Sequence, residues 1–247
     1  MIESVQNQKV KQWNKLKRKK ERMKNNTFLV EGEHLVEEAL KSNWNVKELI
    51  IRENYDSAWL ETYQIPYTTV SEKVFSTLTQ TEHPQGIMAE IHMKKHQFHS
   101  TGKRMVLLDG VQDPGNVGTI IRTADAFGFD GIVMGNGTVD LFNDKVIRST
   151  QGSLFHLPIM FGDLTNWMDT LKQQEYHIWA TALQDAQPLN NEDLPQKLAV
   201  IFGNEGNGVQ KELLNKADRR VFIPIKGQAE SLNVSIASGI IMYMLQC

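Results

Sequence analysis

Cysteine is nearly absent: the only one is Cys247, the last of 247 residues. A lone thiol excludes a disulfide within the chain and fits a reducing compartment. No apolar run approaches the roughly 20 residues that span a bilayer, and Met1 to Gln12 lacks a hydrophobic stretch of signal-peptide type. The expected location is cytoplasmic. Phosphate-binding fingerprints are missing too. Gly203-Asn204-Glu205-Gly206-Asn207-Gly208 has the wrong glycine order and lies too late in the chain for a dinucleotide loop, and there is no Walker-type motif. A nucleotide-dependent oxidoreductase is thereby a remote reading. His92, His96 and His99 have helical spacing, but no nearby cysteine or carboxylate completes a shell, so no metal is expected. His83, beside Pro84, reads as a turn residue, and no Ser–His–Asp arrangement can be argued from spacing.

What is present is an ordinary globular composition, 40% hydrophobic and 23% charged, in a chain long enough for one large domain or two smaller ones. The net charge of −2 hides an asymmetry. Residues 1–24 carry nine basic side chains against Glu3 and Glu21, a segment charge of +7, which leaves −9 for the remainder. A basic arm on an acidic body is the footprint of a phosphate-backbone partner; a solvated helix face is the bland alternative. Trp13 and Leu16, at i and i+3, predict that this arm docks as a helix.

Periodicity predicts a basic helix over 8–24, then a small α/β unit. Its strands are expected at 28–30, 46–51, 67–70 and 86–91, and its helices at 32–40, 57–63 and 72–78. Residues 93–103 form a polar linker. From residue 104 strands and helices alternate again, with strands at 105–108, 132–134, 157–161, 178–182, 198–202 and 220–223. Helices are expected at 117–127, 144–150, 164–173, 210–215 and 234–245. Alternation of this kind predicts a parallel sheet whose ligand site lies at the carboxyl ends of its strands. Three polar, glycine-bearing loops follow such strands, around Asp109–Gly118, Gly203–Gly208 and Ile223–Asn233. They are expected to build one site from distant segments.

The segments Asp109–Gly131, Asn143–Pro158, Ile201–Val209 and Ile223–Ala237 closely resemble the SpoU (TrmH-type) RNA ribose 2′-O-methyltransferases of the SPOUT superfamily. Phe28-Leu29-Val30-Glu31-Gly32 and His83-Pro84-Gln85-Gly86 resemble that family's substrate-binding domain less specifically. The resemblance implies an N-terminal α/β RNA-binding domain (1–92) and a C-terminal methyltransferase domain (104–247) with a parallel sheet and a deep trefoil knot. It also implies a homodimer and S-adenosylmethionine as methyl donor. Carried over by position, Arg122 handles the nucleophile, Asn116, Ser231 and Asn233 orient it and the ribose, and Glu205 fixes the loops. Thr181, Leu183, Gly203, Asn204, Gly208, Ile223, Ile225 and Leu232 match the cofactor-binding positions. Lys15, Lys17, Arg18, Lys19, Lys20 and Arg22 are the RNA-binding candidates of the arm. Ribosomal RNA is favoured over transfer RNA as substrate. An RNA-binding protein with a non-catalytic pocket is the competing reading.

Overall fold

The computed structural model describes residues 1–98, 102–189 and 194–246. His99, part of the expected linker, and Cys247 lie outside them. The chain forms two compact units, Met1–Lys94 with Asp140–Phe155, and Lys95–Val139 with His156–Cys247.

In the first unit the expected single basic helix is two, α1 (Gln8–Lys15) and α2 (Lys19–Asn25). The chain breaks where Arg18 becomes extended, with φ −99° and ψ 129°. Arg22 explains the break. Buried, it turns back to donate to the carbonyls of Leu16 (2.8 Å) and Lys17 (2.9 Å), and it pairs with Asp140. Carbonyls left open at a helix end thus find a cationic donor. The arm is docked as its sequence predicts: Val10, Trp13 and Leu16 are buried. The Trp13 indole donates to the buried carboxylate of Glu90, which also accepts from Thr27 and Lys47.

The unit continues through β1 (Thr27–Glu31), α3 (Glu33–Lys41), β2 (Val46–Arg52), β3 (Tyr67–Val70), α4 (Glu72–Leu78) and β4 (Ile87–His92). Residues Ala58–Tyr63, expected as α-helix, form a 3₁₀ segment, the tighter form used in short pieces. The sheet order is β1-β4-β2-β3, with β4 antiparallel to both neighbours and β2 parallel to β3.

The second unit begins with β5 (Arg104–Asp109), α5 (Pro114–Ala126) and β6 (Gly131–Met134). Asp113 caps α5 by accepting from Asn116 N, and Pro114 occupies its first turn, so the helix starts three residues before the expected 117. The chain then contributes α6 (Asp144–Thr150) to the first unit. It returns for β7 (Ile159–Phe161), α7 (Leu164–Gln173), β8 (His177–Thr181) and β9 (Gln187–Pro188). The last elements are β10 (Leu198–Gly203), α8 (Lys211–Lys216), β11 (Arg219–Phe222) and α9 (Val234–Leu245). All seven strands pair in parallel, in the order β7-β6-β5-β10-β8-β11-β9. Every residue of β5 and β10 is buried, as the unbroken apolar runs of a covered parallel sheet require. Two-residue β9 was not anticipated; it is too short to carry a pattern. Buried Arg104 donates to the carbonyls of Leu245, Pro195 and Gln196, so the end of α9 and the approach to β10 are tied to the first residue of β5. Among the described residues, no helix is long and apolar enough to cross a membrane, and no group of three His, Cys, Asp or Glu could hold a metal ion.

The excursion through Asp140–Phe155 packs into the first unit: Phe142 lies 4.6 Å from the ring of Phe28, and Phe155 5.5 Å from that of Trp44. Leu141, Val146, Ile147 and Leu154 are buried with them. Each such side chain is worth about 1.5–3 kcal/mol when buried. A fragment beginning at residue 104 therefore exposes this apolar face. It should bind a hydrophobic dye strongly and melt well below the full chain, and replacing 140–155 in it by a short glycine–serine linker should abolish the dye binding.

Candidate active site

β5, β10, β8 and β11 end at one edge of the second sheet, and the segments that follow them meet there. β5 and β10 run side by side with Asp109 opposite Gly203. The loop after β10 closes on itself through paired backbone hydrogen bonds between Asn204 and Gly208. Its closeness explains one glycine: a Cβ on Gly203 would stand 2.1 Å from the backbone carbon of Gly208. Asn204 builds the same turn with its side chain, accepting from Gly206 N and Asn207 N and donating to the carbonyl of Gly110 at 2.8 Å. Asn204 thus shapes the loop, and its side-chain amide is already engaged by protein partners.

Glu205 crosses to the start of α5. Its carboxylate accepts from Gln112 N (3.1 Å), Asp113 N (3.0 Å) and the Asn116 amide (3.1 Å). An anion at a helix N-terminus meets unpaired N–H groups and the positive end of the helix dipole. Asn116 turns its other side to α9, where its oxygen accepts from the Asn233 amide at 3.1 Å. Asn233 caps α9, its oxygen accepting from Ser235 N (2.8 Å), Ser235 Oγ (2.6 Å) and Ile236 N (3.4 Å). One line of side chains, Glu205–Asn116–Asn233, therefore joins all three loops.

The loops enclose a cavity of about 670 Å³. All eight expected cofactor positions line it: Thr181, Leu183, Gly203, Asn204, Gly208, Ile223, Ile225 and Leu232. Glu205, Ser231 and Asn233 line it too, and Asn116 reaches it through its two partners. Glu205 is the sole ionisable residue among the described lining residues, which include no Lys, Arg or His. Such a wall suits an uncharged or cationic ligand and repels a phosphate-bearing one.

Arg122 is not brought to this cavity. Six residues beyond Asn116 on α5, it lies ~9 Å further along the helix and about a third of a turn around it. It is exposed and has no hydrogen bond or ion pair among the described residues. In the arm, Lys15, Arg18, Lys19 and Lys20 are exposed. Two candidates are corrected. Arg22 is 6% exposed and paired with Asp140, so its charge is turned inward, and half-buried Lys17 donates to the carbonyl of Thr77 at 2.8 Å. Burial lowers the Lys17 pKa, against the pull of Glu31 and Asp144. Sequence reasoning missed Asp109 and Gln210, which bind each other at the root of the site. The available signal was an aspartate closing an otherwise apolar strand.

Burial acts to raise the Glu205 pKa, but the hydrogen bonds from Asp113 N, Asn116 and Gln112 N prevail, and the carboxyl is held below its ordinary value of 4.5. A lowered carboxyl pKa adds stability that is complete above the ordinary value and disappears as pH falls through the folded one. Wild type and Glu205→Gln should therefore differ in melting temperature at pH 7, and the gap should close below pH 4.5. A gap that stays constant down to acid pH would mean that the charge of Glu205 does not stitch these loops.

Residues 103–243 match the SpoU rRNA Methylase family, and residues 7–89 match the MRM3-like substrate binding domain. The 23S rRNA (guanosine(2553)-2'-O)-methyltransferase RlmP of Bacillus subtilis (strain 168) is 50% identical over 246 residues, covering 99% of this chain and 98% of that protein. The AdoMet-bound rRNA methyltransferase from Sinorhizobium meliloti superposes with a TM-score of 0.88 at 31% identity, over 99% of this chain and 96% of that one. The SpoU methyltransferase AviRb from Streptomyces viridochromogenes, in complex with AdoMet, superposes with a TM-score of 0.87 at 26% identity, over 97% of each chain. With its family model spanning more than half its length and one relative alike from end to end, the chain belongs to the SpoU rRNA methylase family.

Proposed function

We propose that the chain is an S-adenosylmethionine-dependent methyltransferase that methylates a ribose 2′-hydroxyl of ribosomal RNA. The observation that carries this reading is the loop-built cavity, whose described lining has apolar walls, exposed turn backbone and no cation. S-adenosylmethionine brings a methyl group on a positively charged sulfur, and a wall free of Lys and Arg tolerates that charge. Leu183, Ile223, Ile225 and Leu232 offer the apolar surface that an adenine ring needs, and the 203–208 turn offers the backbone polar groups. The 2′-position and the ribosomal substrate are supported by the 50% identical relative. Contact with a 2′-hydroxyl is also what distinguishes RNA from DNA.

The residues divide the work. Asn116 and Asn233 hold each other in fixed orientations, and Glu205 clamps the loops, so the walls are set before substrates enter. Arg122 brings a guanidinium, which is a poor base. Its guanidinium holds the target phosphate and stabilises the negative charge that develops on the 2′-oxygen. The nucleophile's proton leaves to solvent or to the phosphate so held.

Two copies complete the site in this reading. α9 packs against α5 and leaves Ile236, Ile240 and Tyr243 exposed, a stripe at i, i+4 and i+7. We take this stripe as the homodimer surface, over which Arg122 of one copy serves the cavity of the other. The strand order supports the knot that the family reading brings: β10 slots between β5 and β8, which precede it in the chain, and β11 follows beyond β8. In the arm the exposed Lys15, Arg18, Lys19 and Lys20, with Lys11 and Lys24, supply the attraction for RNA phosphates. A cytoplasmic location accords with this role.

Arg122→Ala should lower turnover on ribosomal RNA by about 10²–10³-fold, as removal of one charge-stabilising donor does, with S-adenosylmethionine affinity changed less than about threefold. Calorimetry and tritiated-methyl transfer check both; normal turnover would refute the role of Arg122. Ile240→Asp should convert the dimer to monomer by light scattering and abolish turnover together with it. An active monomer would overturn the shared site.

A further inference from the structure

Asp109 is a buried carboxylate that the mechanism above does not use. It is 2% exposed, at the last position of β5, opposite Gly203 at the cavity wall. Its two oxygens take two donors from one residue: Gln210 N gives to Oδ2 at 2.7 Å and Gln210 Nε2 gives to Oδ1 at 2.5 Å. Gln210 is where the cavity loop ends and α8 begins, and its side chain makes no capping bond to that helix. Its amide is turned instead to Asp109.

Residues 205–208 of the loop are all exposed, so no core of its own holds the loop in shape. Three fixings do. At the entrance, Gly203 packs on the Gly208–Val209 backbone; in the middle, Glu205 binds the start of α5; at the exit, Asp109 binds Gln210. The middle fixing is solvent-exposed and is weakened by salt and acid. The exit fixing is part-buried, with Asp109 enclosed and Gln210 at the surface, and its two bonds to one carboxylate leave a single geometry. Apolar Val209, buried just before it, anchors the backbone but cannot set the turn's direction.

We propose that Asp109 is a positioning residue for the methyl donor: through Gln210 it holds the 203–210 turn in the shape that receives the cofactor. It touches neither the cofactor nor the ribose. The proposal rests on the reading of this cavity as the S-adenosylmethionine site.

The chemistry of the pair supplies a decisive test. Asp109→Asn keeps size and shape, yet an amide can accept only one of the two Gln210 donors and presents its own N–H₂ to the other. Gln210→Glu alone sets two carboxylates against each other. Combined, the two substitutions re-form the pair with its polarity reversed, the new amide at 109 donating to the new carboxylate at 210. Titration of the full-length protein with S-adenosylmethionine should therefore show the dissociation constant rising about tenfold for Asp109→Asn and further for Gln210→Glu. The double variant should return to within about threefold of wild type. At saturating cofactor, turnover of Asp109→Asn and its KM for RNA should stay within about twofold of wild type. That split is one that general damage to the fold would not produce.

If Asp109→Asn does not fold, Gln210→Ala removes the side-chain bond alone and should still weaken cofactor binding several-fold. Unaltered cofactor affinity in folded single variants, or a double variant no better than the worse single, would overturn the assignment. Failure of the wild type to bind S-adenosylmethionine would instead overturn the reading of the cavity, so the two failures are distinct.

Discussion

The side-chain amide of Asn116 is the hinge pin of this site. It is held between two neighbours whose polarity is already decided. Ionised Glu205 can only accept, so the nitrogen of Asn116 must face it. The oxygen of Asn233 is taken by Ser235 and Ile236 at the start of α9, so its nitrogen must face Asn116, which answers with its oxygen. Reversing any one amide would set donor against donor or acceptor against acceptor. The chain of bonds therefore has one self-consistent direction, from the α9 terminus to the β10 loop. Aspartate at 116 would oppose Glu205 with a second charge, and serine could not span both partners. Unpaired polar groups cost more than formed hydrogen bonds contribute, so the arrangement is held chiefly by the penalty for every alternative.

That constraint works because the sheet delivers its parts to the right place. β5 and β10 lie side by side, although 94 positions separate Asp109 from its partner Gly203 in the chain, with the register Leu198–Gly203 on Arg104–Asp109. Side-by-side pairing lets a loop of four exposed residues reach the start of α5. α9, packed on α5, then needs only its capping residue to join the line. The wall formed in this way is polar through its backbone, its amides and the one carboxylate of Glu205, and carries no positive charge among the described lining residues. A site of this kind recognises by shape and hydrogen bonding and leaves a cationic sulfur unopposed, whereas the pyrophosphate of a dinucleotide would find no counter-charge among the described lining residues.

Much of this was legible in the sequence because it rests on short-range rules. Strand and helix alternation survives in the structure almost element by element. The three loops were recognisable by glycine, proline and small polar residues, and they do meet. What escaped is set by long-range partners. Nothing near Lys15–Lys19 signals that Arg22 will fold back to close α1, because the acid that holds it, Asp140, lies 118 residues away. The insertion of α6 into the first unit is likewise invisible: its apolar face reads the same whichever core it joins. Asp109 looks like a turn residue until Gln210, 101 positions later, is seen to use both of its oxygens.

The separation of charge follows from the same economy. Cations crowd the first 24 residues, where Lys11, Lys15, Arg18, Lys19, Lys20 and Lys24 remain exposed while Lys9 pairs with Glu48 and Arg22 with Asp140. The paired cations fasten the arm; the exposed ones keep their full attraction for a polyanion. Were such charges part of the cavity's lining, they would stabilise bound phosphate there and raise the cost of admitting a sulfonium beside them. Exposed charges act over about a Debye length, ~8 Å at physiological salt. Attraction for a polyanion thus resides in the exposed cations of the arm, while the described lining of the methyl-donor pocket holds none. The exception is Arg122, exposed on α5 and outside its own cavity's lining. A guanidinium that must meet the ribose phosphate but not the sulfur is best supplied from outside the pocket wall, which is the physical reason for proposing a site completed by a second copy.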